Sequence, residues 1–146
     1  MTYRPYSQIS SSVDLSTIKT SLLNTSGLTI LKHIPVRVNS SGDIMPVDVA
    51  LEADIFSLVG ISSNMISTGN YGDVVTQGRV EDIDGFDFGE YVYISKTGGL
   101  TNILPDEGSY GFVSGDWVVK VGVITKNPSD PILKDLIINM QIVGQL

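Results

Sequence analysis

Two stretches of this chain carry one pattern, and their spacing restricts the fold more than any other feature. Val36-Arg37-Val38-Asn39-Ser40-Ser41-Gly42-Asp43-Ile44 aligns with Val92-Tyr93-Ile94-Ser95-Lys96-Thr97-Gly98-Gly99-Leu100, a shift of 56 (36 to 92). Farther on, Val59-Gly60-Ile61 aligns with Val121-Gly122-Val123, a shift of 62 (59 to 121). The second copy therefore holds about six more residues (62 less 56), most easily placed in the 105–115 loop. Each copy reads as strand, glycine hairpin, strand, crossover, Val-Gly-Ile/Val strand, turn and final strand. Internal repetition of this kind implies two similar β units closing over one core, as a compact barrel or sandwich.

The second copy carries the clearest local signal. Val92 and Ile94 alternate with Tyr91, Tyr93 and Ser95, the period of two of a pleated strand. Lys96-Thr97-Gly98-Gly99 then supplies the positive-φ positions of a tight hairpin. Strands are expected over 28–38, 44–47, 56–61, 74–83 and 132–143, with Pro35 at an edge or bulge and Gly78 at a bulge or close backbone approach. The run Trp117-Val118-Val119-Lys120-Val121-Gly122-Val123-Ile124 is β-branched and continuous enough for burial on both faces. In the last strand Leu136, Ile138, Met140 and Ile142 share one face, and residues 49–54 form a short helical or looped crossover. Ahead of the β region, apolar residues at 15, 18, 22 and 23 fit a helical stripe, so a short helix is expected over 12–24. The chain thus divides into an N-terminal arm, 1–27, and a β domain, 28–146, with a mainly β fold.

Charge and composition exclude several classes of function. Sixteen acidic residues against nine Lys and Arg leave a net charge of −7, which is poor for binding phosphate backbones or anionic membranes. No cysteine is present, so thiolate chemistry, disulfides and Cys-based metal sites are absent, and the single His33 cannot build a multi-histidine centre. No apolar run reaches the length of a membrane span, and the N-terminus lacks a signal-peptide core, so assembly in a cytoplasm is expected.

No catalytic constellation emerges. The acidic run Glu81, Asp82, Asp84, Asp87 and Glu90 fails the EF-hand spacing, with Phe86 at a ligand position, Asp87 at the glycine and Tyr93 at the final glutamate. It reads as a solvated, turn-rich face. His33 follows Lys32 without a nucleophile pattern and reads as structural or surface; no glycine cluster forms a phosphate loop. Trp117, Tyr91, Tyr93, Tyr110 and Phe112 suit core or subunit packing, with a carbohydrate groove as the alternative. The candidate docking residues are Tyr3, Pro5, Tyr6, Leu15, Ile18 and Leu22 in the arm, with Tyr110 and Phe112 in the long loop. No catalytic, cofactor or metal residue is assigned.

The motifs Val-x-Val-Asn-x-x-Gly-Asp-Ile (36–44), Val59-Gly60-Ile61, Gly72-Asp73, Val92-Tyr93-Ile94-Ser95, Gly98-Gly99-Leu100-Thr101 and Val121-Gly122-Val123-Ile124, with Gly78 and Gly89, span about 34–143. In this order they resemble small β-rich virion proteins of tailed bacteriophages: capsid decoration (cement) proteins and the β-domains of head and tail fibres. The resemblance implies a non-enzymatic, homo-oligomeric (trimeric or otherwise symmetric) component bound to a capsid or other virion protein, and transfers no catalytic position. It leaves a decoration role and a fibre or baseplate role with receptor or glycan contact as the two readings.

Overall fold

The computed structural model describes residues 17–146. Among these residues nine strands form one curled, antiparallel sheet: β1 (Ile18–Leu23), β2 (Pro35–Val38), β3 (Ile44–Pro46), β4 (Leu58–Ser62), β5 (Tyr71–Val80), β6 (Tyr91–Ile94), β7 (Leu100–Thr101), β8 (Trp117–Lys126) and β9 (Lys134–Gln145). A short helix, α1 (Glu52–Phe56), lies in the first crossover. The strand order is β3-β2-β4-β5-β9-β8-β6-β7, with β1 added on β5.

That order is a palindrome of two equal halves, and the repeat holds at the level of single residue pairs. Val36 faces Gly60 in the first half, and Val92 faces Gly122 in the second. In each half the register then slips by one residue, so Arg37 meets Leu58 and Tyr93 meets Lys120. The hairpins match as well: Val38 with Ile44, and Ile94 with Leu100. So do the following strands: Ile61 with Val75, and Val123 with Ile137. Every one of these positions obeys the shifts of 56 or 62 read from the sequence. Gly42 (φ 84°) and Gly98 (φ 90°) occupy the same left-handed hairpin position, where a Cβ would be strained.

The halves meet along a short seam, where Gly78, Arg79 and Val80 of β5 pair with Ile138, Ile137 and Leu136 of β9. Repetition alone would extend this pairing along both strands. Instead β1 takes over residues 71–77 of β5, and β9 splays away after Ile138. Gly78 (φ 96°) stands at that branch point. The backbone of Asn24 also bridges Ile44, so β1 curls the first half around its own small core of Ile30, Val36, Ile44, Ile66 and Val74. Asn24 is fully buried, its side-chain amide donating to the carbonyls of Leu28 and Ile66. The main core gathers Val92, Ile94, Val119, Val121 and Leu136 of the second half with Ile61 and Val75 of the first. Gly60-Ile61-Ser62 of β4 and Val74-Val75 of β5 are thus buried on both faces, as are Val118-Val119 and Val121-Gly122 in β8.

Three expectations change. Ile18–Leu23 is a strand rather than the second half of a helix, because β5 offers it a ladder and its Thr and Ser content disfavours an unsupported helix. The first part of that expected helix lies outside the described residues. Of the long strand expected over 28–38, only Pro35–Val38 forms, preceded by an isolated bridge at Ile30. In β9, Leu136, Ile138 and Met140 contact the core, but Ile142 is 42% exposed, because register shifts in the β8–β9 ladder turn it outward.

Candidate functional site

The residues singled out for docking do not form one cluster. Tyr3, Pro5, Tyr6 and Leu15 lie outside the described residues. Ile18 is exposed on β1, whereas Leu22 is half-buried against the smaller core. Tyr110 is 74% exposed, while Phe112, two residues on, is 2% exposed and belongs to the main core. Phe112 is therefore a packing residue rather than a docking one. Its loop must fold back over the sheet, and an aromatic ring is the largest apolar area available to anchor it.

This loop is the insertion that distinguishes the second half, standing where the first half has α1. Two matched carboxylates secure the crossovers: Asp54 and Asp116 sit at equivalent positions and both are buried. The Asp54 Oδ2 accepts from the Asp48 amide at 2.9 Å, and the Asp116 Oδ2 from the Val113 amide at 2.9 Å. Each also has a cation. Arg37 Nε lies 2.8 Å from Asp54 Oδ1, a charge contact without hydrogen-bond alignment. Lys96 Nζ donates to both oxygens of Asp116, at 2.9 and 2.8 Å.

The Lys96–Asp116 pair fixes the wall of a cavity of about 250 Å³ between the hairpin turn and the insertion. Thr97, Ile103, Leu104, Asp106 and Tyr110 line it, over a floor of Phe112. Tyr110 adopts φ 51° and Gly111 φ 85°, which turns the phenol outward while Phe112 points in. The result is an amphipathic hollow with an aromatic ring at its mouth.

Burial alone would raise the Asp116 pKa, but the hydrogen bonds from Lys96 and Val113 and the Lys96 charge outweigh it. Its carboxyl is held below its ordinary 3.8. A carboxyl whose pKa is depressed on folding stabilises the fold above its unfolded value, and that stabilisation is lost as pH falls through the folded value. Wild type should therefore lose part of its stability below about pH 4. Asp116→Asn, weaker at neutral pH, should close the gap to wild type as pH falls; urea midpoints at pH 7, 4 and 2.5 measure it. A gap that stays constant would contradict this account.

The acidic run does not converge. Glu90 Oε1 caps the Asp87 amide and its Oε2 accepts from Asn102 Nδ2 at 2.9 Å, while Lys134 Nζ sits 3.6 Å from Asp87. Among the described residues no three His, Asp or Glu side chains group as metal ligands. Tyr91 is exposed beneath Lys120, whose ammonium lies 4.1 Å from the ring centroid, and Trp117 packs edge-on against Phe56.

The second surface was not among the expected sites. Residues 139–145 of β9 pair with β8 on one side, and no strand among the described residues covers the other. Val143, the extra residue of a bulge opposite Val118 and Val119, is 61% exposed beside Ile142. From Leu136 to Leu146 there is no Asp, Glu, Lys or Arg, in a chain that is 17% charged. That uncharged run was the available sequence signal. Native strand edges are ordinarily protected by charge, proline or a bulge, and here only the bulges are present.

A scan against protein-family models finds no match, and a search of curated proteins likewise finds none.

Proposed function

We propose that this chain is a non-enzymatic structural protein of a bacteriophage virion, a capsid decoration (cement) protein acting as a homo-oligomer, with a trimer favoured. The observation that carries the reading is the uncharged, half-unpaired end of β9, where Ile142 and Val143 are exposed among amide side chains. On a chain of net charge −7, it is a surface where copies can approach without like-charge opposition. The strand-and-turn motifs resembling phage virion proteins support the same reading. A protein that binds only the assembled lattice stabilises that lattice by mass action, without chemistry.

Sedimentation of the purified protein should give an oligomer mass. Val143→Asp places a carboxylate on an already exposed position, so the fold should survive, while self-association should weaken at least tenfold, about 1.4 kcal/mol. Co-sedimentation of wild type with phage heads, lost in Val143→Asp, would join assembly to the virion role. A monomeric wild type at micromolar concentration would defeat the reading.

The amphipathic hollow beneath Tyr110 favours a second reading, a fibre or baseplate component contacting glycans. Loss of binding on a glycan array in Tyr110→Ala, with oligomer mass unchanged, would select it.

A further inference from the structure

The two halves share one backbone frame, so their differences are informative. One pair stands out. His33 and Gly89 are equivalent: the His33 amide donates to the Ser62 carbonyl at 2.9 Å, and the Gly89 amide to the Ile124 carbonyl at 2.8 Å. Both backbones are left-handed, φ 61° at His33 and φ 82° at Gly89. Glycine adopts this conformation without strain, whereas a residue with a Cβ does not. The first half therefore retains a side chain where the frame suits glycine, and strain held in this way points towards function.

A second difference builds the same turn. Ser62, fully buried, stands where the second half has Ile124. Its hydroxyl donates to the Leu31 carbonyl at 2.7 Å and accepts from the Ile34 amide at 2.9 Å. In the second half the corresponding groups bond directly, the Glu90 amide to the Asp87 carbonyl at 3.2 Å. The serine is thus inserted into the turn and braces Lys32 and His33 from both ends.

That turn faces a cleft of about 500 Å³ beside β1 and the end of β5. Lys19, Lys32, Arg79 and His33 line it with Asn64, and among the described residues Glu81 is the single carboxylate of the lining. Three of the nine Lys and Arg residues and the only histidine of a strongly acidic chain meet here. Arg79 is held in place through Nη1, which donates to the Lys126 carbonyl at 3.1 Å and to Asp135 at 2.9 Å.

We propose that this cleft binds a compact oxyanion, phosphate or sulfate, with Lys19 and Lys32 supplying charge and His33 a ring N–H at its wall. Burial and the neighbouring Lys32 hold the His33 pKa below 6.5, opposed by Asp82 and Asp84. Among the described residues the charged groups around the ring are therefore Lys32, Asp82 and Asp84, with Lys19, Arg79 and Glu81 of the cleft. An oxyanion favours the imidazolium, so the binding of sulfate, whose own charge is constant over this range, should tighten as pH falls from 8 to 6.

The test is titration of the full chain with inorganic phosphate and with sulfate, followed by calorimetry and by the His33 ring resonances. Ionic strength is held constant with chloride. Millimolar binding is expected, with dissociation constants raised about tenfold by Lys32→Gln and by Lys19→Gln, both exposed positions. His33→Gly should melt no lower than wild type, because it restores the residue of the equivalent position, yet lose the pH dependence of sulfate binding. A parallel titration with glucose 1-phosphate separates the sources: tighter binding than inorganic phosphate assigns a saccharide-borne group, equal binding a free anion. Absence of any response above the chloride control, or affinity unchanged in Lys32→Gln and Lys19→Gln together, would overturn the proposal.

Discussion

Gly122→Ala should prevent stable folding, and Gly60→Ala should do nearly the same. A Cβ on Gly122 would stand 1.8 Å from the Ile137 carbonyl oxygen, and one on Gly60 would stand 2.1 Å from that of Val75. The obstructing atom is backbone in both cases, so no rotamer change relieves the overlap. Overpacking in cores ordinarily costs about 1–3 kcal/mol. Here the ladder between adjacent strands must part at its centre, and a loss of about 4 kcal/mol or more is expected. Against a typical total of roughly 5–15 kcal/mol, that leaves a marginal or unfolded chain. The control is Gly115→Ala, where a Cβ meets no neighbour within 4 Å and only the left-handed backbone (φ 94°) opposes it. Circular dichroism melting of the three variants would decide the matter. Wild-type-like melting of Gly122→Ala would show that β8 and β9 do not pack as described.

The second large effect is expected at the seam. Asp135 has no solvent exposure and accepts from Arg79 Nη1 at 2.9 Å, from the Asp82 amide at 3.1 Å and from Asn127 Nδ2 at 3.0 Å. Arg79 belongs to β5 and Asp135 to β9, so the pair links the two halves beside their three shared ladder positions. Arg79→Met keeps most of the stem but leaves a buried carboxylate without its cation, which should destabilise by about 3–5 kcal/mol. Adding Asp135→Asn removes the stranded charge while retaining an acceptor, and should recover part of the loss. Chemical denaturation of wild type, both single variants and the double variant gives the coupling. Additive losses would mean the pair does not interact.

Much of the frame was legible because repetition is visible in sequence where individual strands are short. The shifts of 56 and 62 identified paired positions that the ladders reproduce residue for residue. What stayed hidden depends on partners distant in sequence. Residues 18–23 could not be distinguished from a helix, because their strand character comes from β5, some fifty residues later. Asp54 and Asp116 were passed over, since isolated carboxylates in loops read as solvated until the fold buries them. Phe112 and Tyr110 looked alike as neighbouring aromatics; the left-handed pair Tyr110-Gly111 sends them opposite ways. The cleft around His33 draws residues from four separate segments, so no local motif could announce it.

The duplicated frame makes the molecule its own internal control. Each aligned position exists twice, in the same solvent and at the same temperature, so a residue kept in both copies marks a demand of geometry. Gly60 with Gly122, Gly42 with Gly98, and Asp54 with Asp116 are of that kind. A residue that differs marks a freedom, and α1 against the Tyr110 insertion, Ser62 against Ile124 and His33 against Gly89 are the places where that freedom was used. One copy can hold the architecture while the other diversifies, so new contacts can be tried at these sites without first redesigning the scaffold that bears them.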